Sequence, residues 1–117
     1  MIDIKELQRL AKIFNAQPGR KYPCSNQIVI CAVVANNRDK ALEIMKNKGA
    51  ALTRVSNRFI EWNLDNELWI WRPWNPNIRG YRFYKVIIDK DIDMSYNDFG
   101  NSILASCGFY CCSFEIV

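Results

Sequence analysis

The stretch Gln27-Ile28-Val29-Ile30-Cys31-Ala32-Val33-Val34 decides the fold of this chain. It is a continuous apolar run rich in β-branched side chains. Such side chains are stiff at χ1 and pack well on a pleated surface, so the run reads as a strand. It shows no polar alternation and therefore has no solvent face. A strand of that kind belongs at the centre of a sheet covered on both sides. Asn36 or Asn37 then caps a helix over about residues 38 to 48, with Ala41, Leu42 and Met45 turned inward. Gly49 closes that helix. A buried strand, a capped helix and a short strand at Ala51 to Val55 make a βαβ-like beginning.

Downstream, Phe59 to Leu64 and Glu67 to Arg72 flank Asp65-Asn66, a two-residue hairpin turn. If Leu64 opposes Glu67, Trp62 opposes Trp69 and Ile60 opposes Trp71. Those side chains share one face, because directly opposed residues in a sheet do. Phe59, Glu61, Asn63, Leu68, Ile70 and Arg72 share the other. Pro73-Trp74-Asn75-Pro76-Asn77 is an irregular loop, and Tyr81 to Asp89 is the next strand. Asp93 or Ser95 caps a helix running through Phe99, Ile103 and Leu104, weakened by Gly100. Phe109 to Val117 is a final strand.

Upstream, Asp3 and Glu6 have the spacing of an N-cap and its box partner. Ile4, Leu7, Ala11 and Phe14 recur at helical spacing, with Leu10 and Ile13 widening the stripe, so a helix spans about residues 4 to 15. Lys5, Arg9 and Lys12 form its solvated face. Asn15 to Asn26 is a connector broken by Pro18, Gly19 and Pro23. The expected architecture is α/β or α+β. It is a single domain over residues 1–117, with a mixed sheet of five or six strands and two to three helices.

The 117 residues allow one hydrophobic core, and an apolar share of 50% marks the chain as globular. A net charge of +4 permits an acidic partner without demanding one. There is no histidine, which removes a Ser-His-Asp triad and most zinc sites. Cys24, Cys31, Cys107, Cys111 and Cys112 are odd in number and form no C-x-x-C pair, so they read as buried thiols. The chain opens polar, so no signal peptide is expected, and no apolar run approaches the roughly 18 residues a membrane span needs. A reduced cytoplasmic setting is expected, without membrane association.

Three features bear on chemistry. Arg79-Gly80 feeds an apolar strand that ends in Asp89, the layout of a Walker B strand. Asp89, Asp91 and Asp93 would share one face of an extended chain, and carboxylates so placed are able to bind magnesium. Trp62, Trp69, Trp71, Trp74, Tyr81, Phe83 and Tyr84 are interleaved with Arg58, Arg72, Arg79 and Arg82. Tryptophan, tyrosine and arginine dominate protein hot spots, and aromatic platforms beside cations hold single-stranded nucleic acid. Trp74, set in a loop between Pro73 and Pro76, is the leading contact residue. Arg72, Arg79, Tyr81 and Arg82 join it as candidate partner-binding residues.

From Gln27 to Asp91 the pattern resembles the middle of the ATPase core of phage terminase large subunits and related helicase-like motors. In those families an R-G turn follows the hairpin, and the aspartate at the end of the next strand binds the magnesium of the nucleotide. That resemblance carries over Arg79, Gly80 and Asp89. Two departures count against hydrolysis. No G-x-x-x-x-G-K-[ST] loop precedes the match, so no glycine-rich cradle wraps a phosphate. Lys90 stands where a water-activating glutamate would be, and a protonated ammonium is no base. The expectation is a non-catalytic, phage-type accessory protein without a required cofactor. It would bind, and inhibit, a host macromolecule such as a defence or nucleic-acid-processing complex, in the manner of an anti-CRISPR protein. The alternatives are a nucleic-acid-binding module and a degenerate nucleotide- or magnesium-binding fragment using Asp89 and Asp91. Homo-oligomerisation is a further alternative.

Overall fold

The computed structural model describes residues 3–15, 28–74, 82–107 and 113–117. Helix α1 (Ile4–Asn15) precedes strand β1 (Val29–Val34), helix α2 (Arg38–Asn47) and three strands, β2 (Ala51–Val55), β3 (Ile60–Leu64) and β4 (Glu67–Trp71). Strand β5 (Phe83–Ile88) follows. Helix α3 is built from an α turn Tyr96–Phe99, a π turn Gly100–Leu104 and a last α turn Ala105–Cys107, and strand β6 is Ser113–Ile116. The strands form one mixed six-stranded sheet in the order β2-β3-β4-β1-β5-β6.

The expected central strand is central. β1 lies between β4 and β5 and runs parallel to both. Its alternate residues feed two separate cores. Val29, Cys31 and Val33 meet α2 through Ala41, Ile44 and Met45. Ala32 and Val34 meet α1 and α3 through Leu7, Leu10, Phe99 and Ile103. The fold is therefore α/β in three layers. The hairpin register is also as expected, with Leu64 opposite Glu67, Trp62 opposite Trp69 and Ile60 opposite Trp71. Asp65 takes φ 54°, the left-handed conformation that tight hairpin turns ask of Asp, Asn or Gly. Ile60, Trp62, Trp69 and Trp71 are buried on the α2 face.

The helix ends follow local chemistry. Asn37 is the cap of α2, and its side chain accepts from the Lys40 N–H at 2.8 Å. Gly49 takes φ 77° just past that helix. Ser95, rather than Asp93, caps α3 by accepting from the Asp98 N–H. In α1 the Asp3 side chain accepts from the Lys5 N–H at 3.1 Å. Glu6 pairs with Arg9 at 2.8 Å instead of closing the expected capping box. The buried stripe of α1 is narrower than its spacing suggests: Leu7 and Leu10 are buried, whereas Ile4 and Ile13 are exposed.

Two bulges reset the alternation. Ile30 pairs with Phe83 but Cys31 pairs with Lys85, so Tyr84 is an extra residue in β5. Phe83 and Val86 can then both reach the α1–α3 core although they are three apart. In β2, Leu52 pairs with Trp62 and Arg54 with Glu61, leaving Thr53 extra. The Thr53 hydroxyl donates to the Glu61 carbonyl at 3.1 Å and seals that bulge. The last strand, β6, is an edge strand parallel to β5, and residues 109–112 of its expected span lie outside the described residues. No helix among the described residues is long and apolar enough to cross a membrane.

Candidate functional site

The tryptophans are structural first. The β1–β4 ladder has its last pair at Ala32 and Ile70, yet β1 continues. Successive carbonyls of a strand point to opposite sides, so the outer β1 carbonyls need two kinds of donor. On the β5 side, Val34 accepts from the Asp89 N–H at 2.9 Å. On the β4 side, indoles take over. The Trp74 N–H donates to the Val33 carbonyl at 2.7 Å and the Trp71 N–H to the Ala35 carbonyl at 3.1 Å. Trp74 is partly buried and its ring meets Phe83 edge-on at 5.5 Å. Trp74, the leading contact residue by its place in a loop, is therefore tied into the fold by its ring and its indole N–H. Its apolar body closes the α1–α3 core while its polar edge finishes the sheet.

The rest of that contact group is not one patch. Arg72 follows the C-terminal end of β4, whereas Arg82 precedes the N-terminal end of β5. Because both strands run parallel to β1, those are opposite ends of the sheet. By register Arg72 is level with Val34 and Arg82 with Val29, a separation of roughly 16 Å along the strands. Arg79 and Tyr81 lie outside the described residues.

The carboxylates do not converge either. After Ile88 the chain turns at Lys90 and Asp91, so the extended geometry that would align Asp89, Asp91 and Asp93 is lost. Asp89 is 2% exposed and its carboxylate accepts from the Asp91 N–H at 3.1 Å. Asp91 and Asp93 are exposed. Asn36 ties this turn to β1: its Nδ2 donates to the Asp91 carbonyl at 2.9 Å and its Oδ1 accepts from the Asp93 N–H at 2.6 Å. Among the described residues, no three His, Cys, Asp or Glu side chains are grouped to hold a metal.

Asp89 nevertheless sits where open parallel sheets place ligands. The connection from β1 runs through α2 on one face, and that from β5 through α3 on the other. The crevice beyond these two strand ends is a topological switch point. Asp89 there borders an open cavity of about 440 Å³ shared with Lys40, Glu43, Ile44, Lys48 and Lys90. The Lys48 ammonium donates to Glu115 Oε1 at 2.7 Å, while Lys40 and Lys90 make no ion pair among the described residues.

A second place was not anticipated from the sequence. Every residue from Ala51 to Arg58 is exposed, so β2 is an open edge. Leu52 pairs with Trp62 and Val55 with Ile60, which puts both on the α2 face. α2 does not cover them: Leu52 is 51% and Val55 46% exposed. Between α2 and β2 lies a groove of about 350 Å³ lined by Leu42, Lys46, Gly49, Ala50, Leu52 and Trp62. The bulge at Thr53 hides this row, since under strict alternation residues 52 and 55 fall on opposite faces.

Compared with protein-family models, curated proteins and solved structures, the chain matches none.

Proposed function

We propose that this chain is a small non-catalytic accessory protein of the phage-encoded kind, acting in the host cytoplasm. It binds a protein complex and inhibits it, with defence and nucleic-acid-processing complexes as the target class. The observation that carries the reading is the uncovered apolar row of Leu52 and Val55 on an edge strand whose every residue is exposed. A contiguous apolar row kept at the surface beside a well-filled core supports a contact surface there. Affinity capture from a bacterial lysate, with and without nuclease, tests it. A stoichiometric protein partner that survives nuclease supports the reading. Recovery of nucleic acid alone, lost on nuclease treatment, contradicts it and favours a nucleic-acid-binding module, whose affinity would fall steeply with salt.

A second reading, a degenerate nucleotide- or magnesium-binding fragment, is favoured by the buried Asp89 carboxylate beside Lys40, Lys48 and Lys90 at the switch point. Lysine ammonium groups offer point charges to phosphate, and a carboxylate can share a magnesium ion with it. On this reading ATP with magnesium raises the melting temperature, and the shift disappears in a Lys40→Ala, Lys90→Ala double variant. An unchanged shift in that variant removes the cavity from consideration.

A further inference from the structure

The groove between α2 and β2 has a chemistry that limits its occupant. This inference rests on the protein-binding reading and deepens it. The floor is apolar, formed by Leu42, Ala50, Leu52 and Trp62, with Val55 continuing the row. The helical wall carries Arg38, Leu42 and Lys46 at four-residue spacing, which places them on one face of α2. The Arg38 guanidinium does reach the β2 side, donating to Asn57 at 3.4 Å. Lys46 borders the groove directly and makes no ion pair among the described residues. Arg58 is exposed just past β2. No lining residue is acidic. Glu43 lines the other cavity rather than this groove, and Glu61 lies on the opposite sheet face, level with Arg54. Lys46 is thus the charged side chain on the groove lining, while Asp39, one turn before Leu42, is exposed and lies outside that lining.

We propose that this groove docks an acidic amphipathic segment of a partner protein. One or two large apolar side chains of that segment lie over Leu42, Leu52 and Val55, and flanking carboxylates meet Lys46 and Arg38. A second copy of the chain fits less well. The strand carries a bulge at Thr53 and a charge at Arg54, two devices that discourage edge-to-edge pairing. A partner approaching over the α2 face avoids that edge and uses the groove instead.

The test is selection of a displayed random-peptide library against the folded full chain, followed by affinity measurements on purified variants. Enriched peptides are expected to combine Leu, Phe or Met with Asp and Glu. Their affinity should fall about tenfold in Leu52→Asp and about fivefold in Lys46→Glu. Lys5→Glu, the same charge change on the exposed side of α1, should leave it unaltered. Thermal melting of each variant establishes that it is folded. Selection without binders, enrichment of basic peptides, or binding equally tight to Leu52→Asp would each overturn the proposal. So would a dimer of the free chain that Leu52→Asp dissociates, because the groove would then belong to a second copy. Capture from lysate separates the two levels. A nuclease-resistant partner retained by Leu52→Asp removes the groove and keeps protein binding, whereas no such partner with the unaltered chain ends the broader reading.

Discussion

The centre of the sheet and its β2 side treat large apolar side chains in opposite ways. Around β1, tryptophans are buried, and Trp71 and Trp74 donate hydrogen bonds to the strand's last carbonyls. Along β2, a leucine and a valine stand half in water beside a lysine and an arginine. The bulkiest aromatic residues, which by type would be expected at a binding surface, complete the core. The more ordinary aliphatic residues are the ones left uncovered. Residue type nominates a contact surface, but the length of a hydrogen-bonded ladder can claim the nominee first. Here β1 outruns β4, and its bare carbonyls recruit the indoles.

Substitution should divide the two regions by stability. Trp71→Ala removes a buried ring and leaves the Ala35 carbonyl without its indole donor, so a loss of about 3–5 kcal/mol in urea unfolding is expected. A loss no larger than that of a surface change would erase the distinction. Trp74→Phe keeps a ring against Phe83 but deletes the donor to Val33, with an expected cost of about 1–3 kcal/mol. A cost near zero would mean that water replaces the indole and that Trp74 is free to serve a partner. Leu52→Asp should change stability by no more than about 0.5 kcal/mol, because the side chain is already half exposed. A cooperative loss of several degrees in melting temperature would instead assign Leu52 to the core.

Much of the fold was legible because it follows short-range rules. The β-branched run at residues 28–34, the Asn37 cap and the hairpin turn at Asp65 each act within a few residues. The cross-strand pairing of Trp62 with Trp69 follows once the turn is placed. The candidate sites were less legible because they depend on long-range geometry. Trp74 bonds to a carbonyl on β1, and Arg72 and Arg82 are drawn apart because β4 and β5 both run parallel to β1. Asp91 and Asp93 were read as extended neighbours of Asp89, but Asn36 holds that segment in a turn. The groove stayed hidden because a single bulge at Thr53 shifts the phase of β2. One extra residue is enough to move Val55 to the face that an alternating pattern denies it.

Amide hydrogen exchange, read at residue level with and without a selected acidic peptide, tests the central division most directly. Protection follows local opening, so buried strands exchange slowly and open edges fast. In the free chain β1 should be the slowest strand and residues 51–55 among the fastest. On binding, new protection is expected at α2 and at residues 51–55, with Arg72, Trp74 and Arg82 unchanged. New protection confined to Arg72, Trp74 and Arg82 would contradict this division and return the partner to the aromatic and arginine residues.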